Sequence, residues 1–319
     1  MRSRHDWDIL LSDRTRHASQ RCAPGRGFCF MGYEKIKYNG NALSITDQLE
    51  LLKERGLIIQ DEHFAKQCVL FTGFYRFFSY AKPLLNSNNS KVDFEDAWSL
   101  YVFDRKLRLL VNDAIERIEV AFRVSISEEM SPQHNPFWYL KSELFANTRH
   151  HLDFIEQIIK LQKSRKNPLI KHYYETYCDP EFPPSWIIIE CLTFGTWSKV
   201  FYNLKNRCDK KIISSRLGQS FKTLESWIVS LIEIRNICAH HERLWNRNFH
   251  YPPRNAPNEI HQNGKFYQQA FIIIQLLKTI SPSSDWKNNL FNLLQEYKHL
   301  PIKKMGFISN WEKDQFWQI

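Results

Sequence analysis

Glycine is scarce, with 10 in a chain of 319 residues. So few permissive positions leave little room for the turns of a many-stranded β fold, and the long periodic stretches between them point to helices. The 7 cysteines are scattered, odd in number and never form a C-x-x-C pair. That spacing excludes a zinc ribbon, a thioredoxin-type site and a disulfide framework, and it fits a reducing cytoplasm. No apolar run reaches membrane-spanning length; even Phe271 to Leu277 is short and ends at Lys278. The first residues carry no secretory apolar region. Also missing are G-x-x-x-x-G-K-S/T, G-x-G-x-x-G, G-x-S-x-G and H-E-x-x-H, the usual marks of nucleotide sites, serine hydrolases and zinc proteases. The expectation is no metal, no cofactor and no membrane partner.

Aromatic residues are plentiful at 14%, with 10 Trp and 23 Phe, in a chain that is 43% hydrophobic. That is enough apolar surface for one large core or two small ones. The formal net charge is +10. A balance of that size suits a polyanionic partner, because neutralising phosphates releases counterions. A basic protein without such a partner carries the same composition.

Residues 1–33 carry Arg without Lys, show no period and end in a Pro- and Gly-containing stretch. They read as an extension upstream of a start at Met31; a transit-like leader is the alternative, weakened by three Asp residues. From Ser44, with Asp47 three residues on, a capped helix is expected to run to Gly56. Asp61 caps a second, with Phe64, Cys68, Phe71 and Tyr75 on its apolar face. This 34–85 hairpin has the form of a helix-turn-helix, a form that any αα-hairpin shares. A polar loop at 86–91 leads into a helical region, 86–319, unless 34–319 is one compact unit. Phe94 to Met130 is one long helix with Leu100, Phe103, Leu107, Leu110, Ala114, Ile118 and Ala121 as its seam. Asp104, Arg105, Arg108, Asn112, Glu116, Glu119 and Arg123 read mostly as its solvated, mutually paired face, and Ser131-Pro132 as its stop. Further helices are expected at 150–162, 186–204 (with Gly195 at a close packing contact), 265–280 and 285–297, the last capped at Ser283 or Ser284. Asn167-Pro168 and the segments 179–184 and 251–257 are breakers. The fold class is all-α.

One stretch gathers chemistry: WIVSLIEIRNICAHHERLWNR, Trp227 to Arg247. Trp227, Leu231, Ile234, Cys238 and Trp245 fall near one stripe of a helix, and Asn236, His240, Arg243 and Arg247 follow on another at steps of four, three and four. RNA cleavage needs a base for the 2′-OH, an acid for the 5′ oxygen and positive charge for the phosphorane. Histidine serves the first two near neutral pH, and arginine the third. Arg235 and His240 are five residues apart, about 140° around a regular helix, so Arg235 must reach around to the Asn236–His240 line. His241 lies off that line and reads as a supporting or packing residue. The set contains one well-placed histidine, so a second copy in a homodimer would complete a composite site.

The segment IRNICAHHERLWNR (234–247) resembles the signature of the Abi (abortive-infection, AbiD/AbiF-like) family, and Arg235 to His240 matches the R-x4–6-H motif of the HEPN superfamily. LSITDQLELLKERGLII (43–59), GFYRFFSYAKPL (73–84), YVFDRKLRLLVNDAIERIEVAFR (101–123) and PPSWIIIECLTFGTWSKVFYNL (183–204) are similar to further blocks of that family, in its order. The resemblance implies a HEPN-type helical bundle with an N-terminal helical hairpin. It also implies phage defence through metal-independent RNA cleavage leaving a 2′,3′-cyclic phosphate. Arg235, Asn236 and His240 become the catalytic candidates, and His241 a supporting one. Arg243, Asn246 and Arg247 are the residues expected to hold RNA. The partners implied are RNA, a second copy of the chain, and in some members a small non-coding RNA or an antitoxin. Two alternatives stay open: a non-catalytic RNA-binding regulator or antitoxin-like protein using the same basic helix, and a DNA-reading hairpin between Ser44 and Tyr80.

Overall fold

The structure, a computed structural model, describes residues 41–88, 91–256, 264–308, 310–313 and 317. The expectations for residues 1–33 lie outside the described residues. Twelve α-helices account for nearly all the regular structure described: α1 (Ile45–Glu54), α2 (Glu62–Thr72), α3 (Phe74–Asn88), α4 (Phe94–His134), α5 (Thr148–Ser164), α6 (Pro168–Thr176), α7 (Ser185–Cys191), α8 (Phe194–Asn203), α9 (Arg207–Arg216), α10 (Phe221–Ala239), α11 (Phe266–Ile280) and α12 (Trp286–Glu296). The fold is all-α. The described strands are β1 (Leu57–Ile58) and β2 (Val92–Asp93), paired in parallel. The chain divides into two compact units, one ending at Phe94 and one beginning at Glu95.

In the first unit the capping signals act as read. The Ser44 hydroxyl accepts from the Asp47 N–H, and the Asp47 carboxylate accepts from the Ser44 N–H. Asp61 caps α2 through the Phe64 N–H. Gly73, at φ +80°, then ends α2 and a third helix begins at Phe74. Phe71 is therefore left exposed and Tyr75 belongs to α3, so neither completes an α2 apolar face. The polar stretch from Asn86 is likewise helical as far as Asn88.

The second unit is built on α4. Its buried seam is Leu100, Phe103, Leu107, Val111, Ala114, Ile118 and Phe122. Leu110 and Ala121 sit beside the seam, because a real helix advances 3.6 residues per turn and the stripe drifts. The helix passes Ser131-Pro132 and ends at His134, since proline's missing donor removes one bond only from the last turn. Two of the charges expected on its solvated face are buried. Asp104 and Arg108 pair with each other inside the protein, against the expectation of a solvated face.

Elsewhere the punctuation is finer than the periodicity suggests. Asn167-Pro168 opens α6, with Asn167 accepting from the N–H groups of Leu169 and Ile170. The expected helix over 186–204 is split, because Thr193 caps α8 through the Thr196 N–H. Gly195 then sits in the first turn of α8, where a Cβ would meet only the Thr193 hydroxyl at 3.9 Å, so it marks no close packing. At the start of α12 the cap position is Asp285, whose side chain makes no cap bond, while the Ser284 hydroxyl accepts from the Trp286 N–H. The apolar centre is formed by α4, by Leu224, Trp227, Leu231 and Ile234 of α10, and by α11, two thirds of whose residues are buried. No helix among the described residues is long and apolar enough to cross a membrane.

Candidate active site at the end of helix α10

The stretch from Trp227 to Arg247 is not one helix. α10 stops at Ala239, and His240 is its C-cap. The Glu242 N–H reaches back to the Ile237 carbonyl at 3.0 Å and the His241 N–H to the Cys238 carbonyl at 3.1 Å. These are the two bonds of a Schellman motif, and His241 occupies its left-handed position at φ +56°. Glycine usually fills that position, but histidine is among the side chains that tolerate it. The expected polar stripe thus breaks after His240, and Arg243, Asn246 and Arg247 lie on a turn beyond the helix.

The turn is fixed by the buried Asp104. Its carboxylate accepts from the N–H groups of Leu244 (3.1 Å) and Trp245 (2.6 Å). The Arg108 guanidinium nitrogen that pairs with the same carboxylate also donates to the Glu242 carbonyl at 3.4 Å. Leu244 and Trp245 are fully buried behind it. The chain then runs back along α10. Glu233 accepts from the N–H groups of His250 and Tyr251, Ser230 donates to the Tyr251 carbonyl, and the Trp227 indole donates to the Arg254 carbonyl.

Between α10 and this returning segment lies an open groove of about 440 Å³. Asn236, His240, Glu242, Arg247, His250 and Tyr251 are among the residues that line it. Asn236 and His240 are one turn apart and both exposed. Arg235 turns the other way, as its angular position requires. Its Nε lies 4.0 Å from a Glu119 carboxylate oxygen on α4, while a terminal nitrogen lies 3.4 Å from Asn236 Oδ1. Asn236 therefore touches the motif arginine and shares the groove with the motif histidine. Arg247 pairs with Glu242 at 2.6 Å across the turn.

Arg243 stands over the Trp245 ring at 5.8 Å, and Lys304 stands over the same ring at 5.7 Å. Lys265 donates to Asn246 Oδ1 at 3.4 Å. Burial, then Arg243 and Lys304, push the Lys265 ammonium down from its ordinary range; burial and Arg243 do the same to Lys304. Three cations crowd one place, which suits a phosphate. Lys265 and Lys304 are far from the motif in sequence, and no local pattern signals them. The thiol of Cys238 is pushed up to about 12, mainly by burial and further by Asp104, so it is no nucleophile. Among the described residues, no group of three His, Cys, Asp or Glu side chains is arranged to hold a metal ion.

A model of the Abi-like protein family matches residues 69–246, more than half of the chain, and ends within this turn. The chain belongs to the Abi-like family. Membership suggests a part in abortive infection and phage defence. The matched range takes in the α4 residues Asp104, Arg108 and Glu119 as well as Arg235 to Asn246, so the Abi-like match spans the side chains that shape the helix end. No curated protein and no solved structure matches this Abi-like chain.

Proposed function

We propose that this protein is a HEPN-type, metal-independent endoribonuclease acting in phage defence. The observation that carries the reading is the pairing of Asn236 and His240, exposed one turn apart in one groove, with Arg235 against Asn236 and Arg247 on the groove wall. His240 takes the proton of a ribose 2′-OH, and the arginines meet the charge that gathers on the phosphorane. Arg243, Lys265 and Lys304 hold neighbouring phosphates of the strand. Departure of the 5′ oxygen needs a second acid–base group, from a second copy of the chain or from the same one. RNA is the proposed substrate, and the RNA could include a small non-coding partner.

Full-length protein incubated with RNA in EDTA should yield fragments ending in 2′,3′-cyclic phosphates. His240→Ala should lower the rate by about 10²–10⁴-fold, the usual worth of a general acid or base. Its thermal unfolding should be unchanged, because the side chain is exposed. Cleavage that persists in this variant would sink the assignment. Salt-dependent RNA binding with no cleavage by wild type would favour the rival, an RNA-binding regulator built on the same cations.

A further inference from the structure

We propose that His250, oriented by Glu233, is the general acid of this site, supplied by the same chain that supplies His240. The inference rests on the ribonuclease reading. His250 Nδ1 lies 2.7 Å from Glu233 Oε1. The same carboxylate accepts the backbone N–H groups of His250 (2.9 and 3.0 Å) and of Tyr251 (3.1 Å). A carboxylate surrounded by donors acts as an acceptor only, so Nδ1 carries a hydrogen and Nε2 is the outward nitrogen. The two side chains differ sharply in exposure: 11% for Glu233 and 78% for His250. A half-buried carboxylate holding an exposed imidazole by Nδ1 resembles the arrangement that fixes the acid–base histidine of hydrolase triads. Anchoring the returning segment does not need the ring, because the two backbone N–H groups already tie it to Glu233. His240 and His250 line the same groove. The His240 ring makes no hydrogen bond with the described residues, which leaves it open to a ribose hydroxyl.

The step balances within the chain. Neutral His240 accepts the 2′-OH proton as the O2′–P bond forms. The P–O5′ bond breaks, and imidazolium His250 delivers its Nε2 proton to O5′. The products are a 2′,3′-cyclic phosphate and a 5′-hydroxyl. Water then takes a proton from His240 and returns one to His250. Glu233 is a positioning residue; it touches no reacting atom.

The test compares two RNA substrates, one ordinary and one with sulfur in place of the bridging O5′ at the cleavage site. A thiolate departs without being protonated, so it bypasses the acid. On ordinary RNA, His250→Ala should lose about 10²–10⁴-fold in single-turnover rate with little change in the RNA concentration giving half-maximal rate. On the sulfur substrate it should cleave within a few-fold of wild type. Glu233→Gln should show a smaller loss on ordinary RNA and the same rescue, which a purely structural defect would not produce. His240→Ala should fail on both. A His250→Ala protein as active as wild type on ordinary RNA, or equally impaired on both substrates, would overturn the acid role. Activity regained by mixing His240→Ala with His250→Ala protein would place the two groups on different copies and overturn the same-chain assignment. Wild type inactive on both substrates would overturn the ribonuclease reading itself.

Discussion

Asp104 joins two distant parts of the sequence, the middle of a long helix and the turn that carries the basic residues. Its carboxylate is wholly buried and answers three demands: the Leu244 N–H, the Trp245 N–H and the Arg108 guanidinium. Charge-assisted bonds of this kind are the stronger ones, and a buried partner left alone is costly. Asp104→Ala removes the counter-charge of a buried guanidinium and the acceptor of two buried N–H groups, so urea unfolding should register a loss of about 3–5 kcal/mol. Asp104→Asn retains one acceptor oxygen and should lose less. In either variant the amides of Leu244 and Trp245 should exchange with solvent faster than in wild type, and cleavage should fall with the turn's order. Unchanged exchange at those two amides would mean that the turn is held by other contacts.

At the scale of elements, the decisive event is the stop of α10 after Ala239. His241 adopts φ +56°, a conformation costly for a branched side chain and free for glycine. His241→Val should therefore lower stability by roughly 1–2 kcal/mol, while His241→Gly should be tolerated or mildly stabilising, with cleavage kept in the glycine variant. Equal melting of the two variants would remove the left-handed turn from the account. This stop also shows where sequence reading runs out. Ser44 and Asp61 announce their helices because a cap acts within three residues. The all-α class follows from periodicity repeated over many turns. No Gly or Pro lies between Ala239 and Arg247, so Trp227 to Arg247 reads as one helix, whereas the carboxylate that draws the chain aside is Asp104, in a different helix. His240 was legible as chemistry because the motif is local. His250 was not, since its partner Glu233 precedes the motif and meets it only after the chain has doubled back along α10.

For the whole molecule, the net charge of +10 matters through where it is concentrated. Arg243 and Lys304 stand over Trp245, Lys265 reaches the adjacent Asn246, and Arg247 lines the neighbouring groove. If all four meet phosphates of a single strand, the logarithm of RNA affinity should fall against that of salt with a slope of about −3, near −0.7 for each contact. Lys265→Met should reduce the slope by about 0.7 and weaken binding at low salt, whatever the RNA sequence. The same substitution should raise Tm. The Lys265 ammonium is held below its ordinary range by burial and by Arg243 and Lys304. Between that lowered value and 10.5, the ordinary one, the unfolded chain binds more protons, so this group's penalty on folding shrinks as pH rises through the window. Removing the charge should therefore stabilise most at neutral pH and least above 10.5. Weaker RNA binding together with a higher Tm would mark Lys265 as a residue kept for a phosphate at the expense of the fold. An unchanged salt slope would take it out of the RNA path.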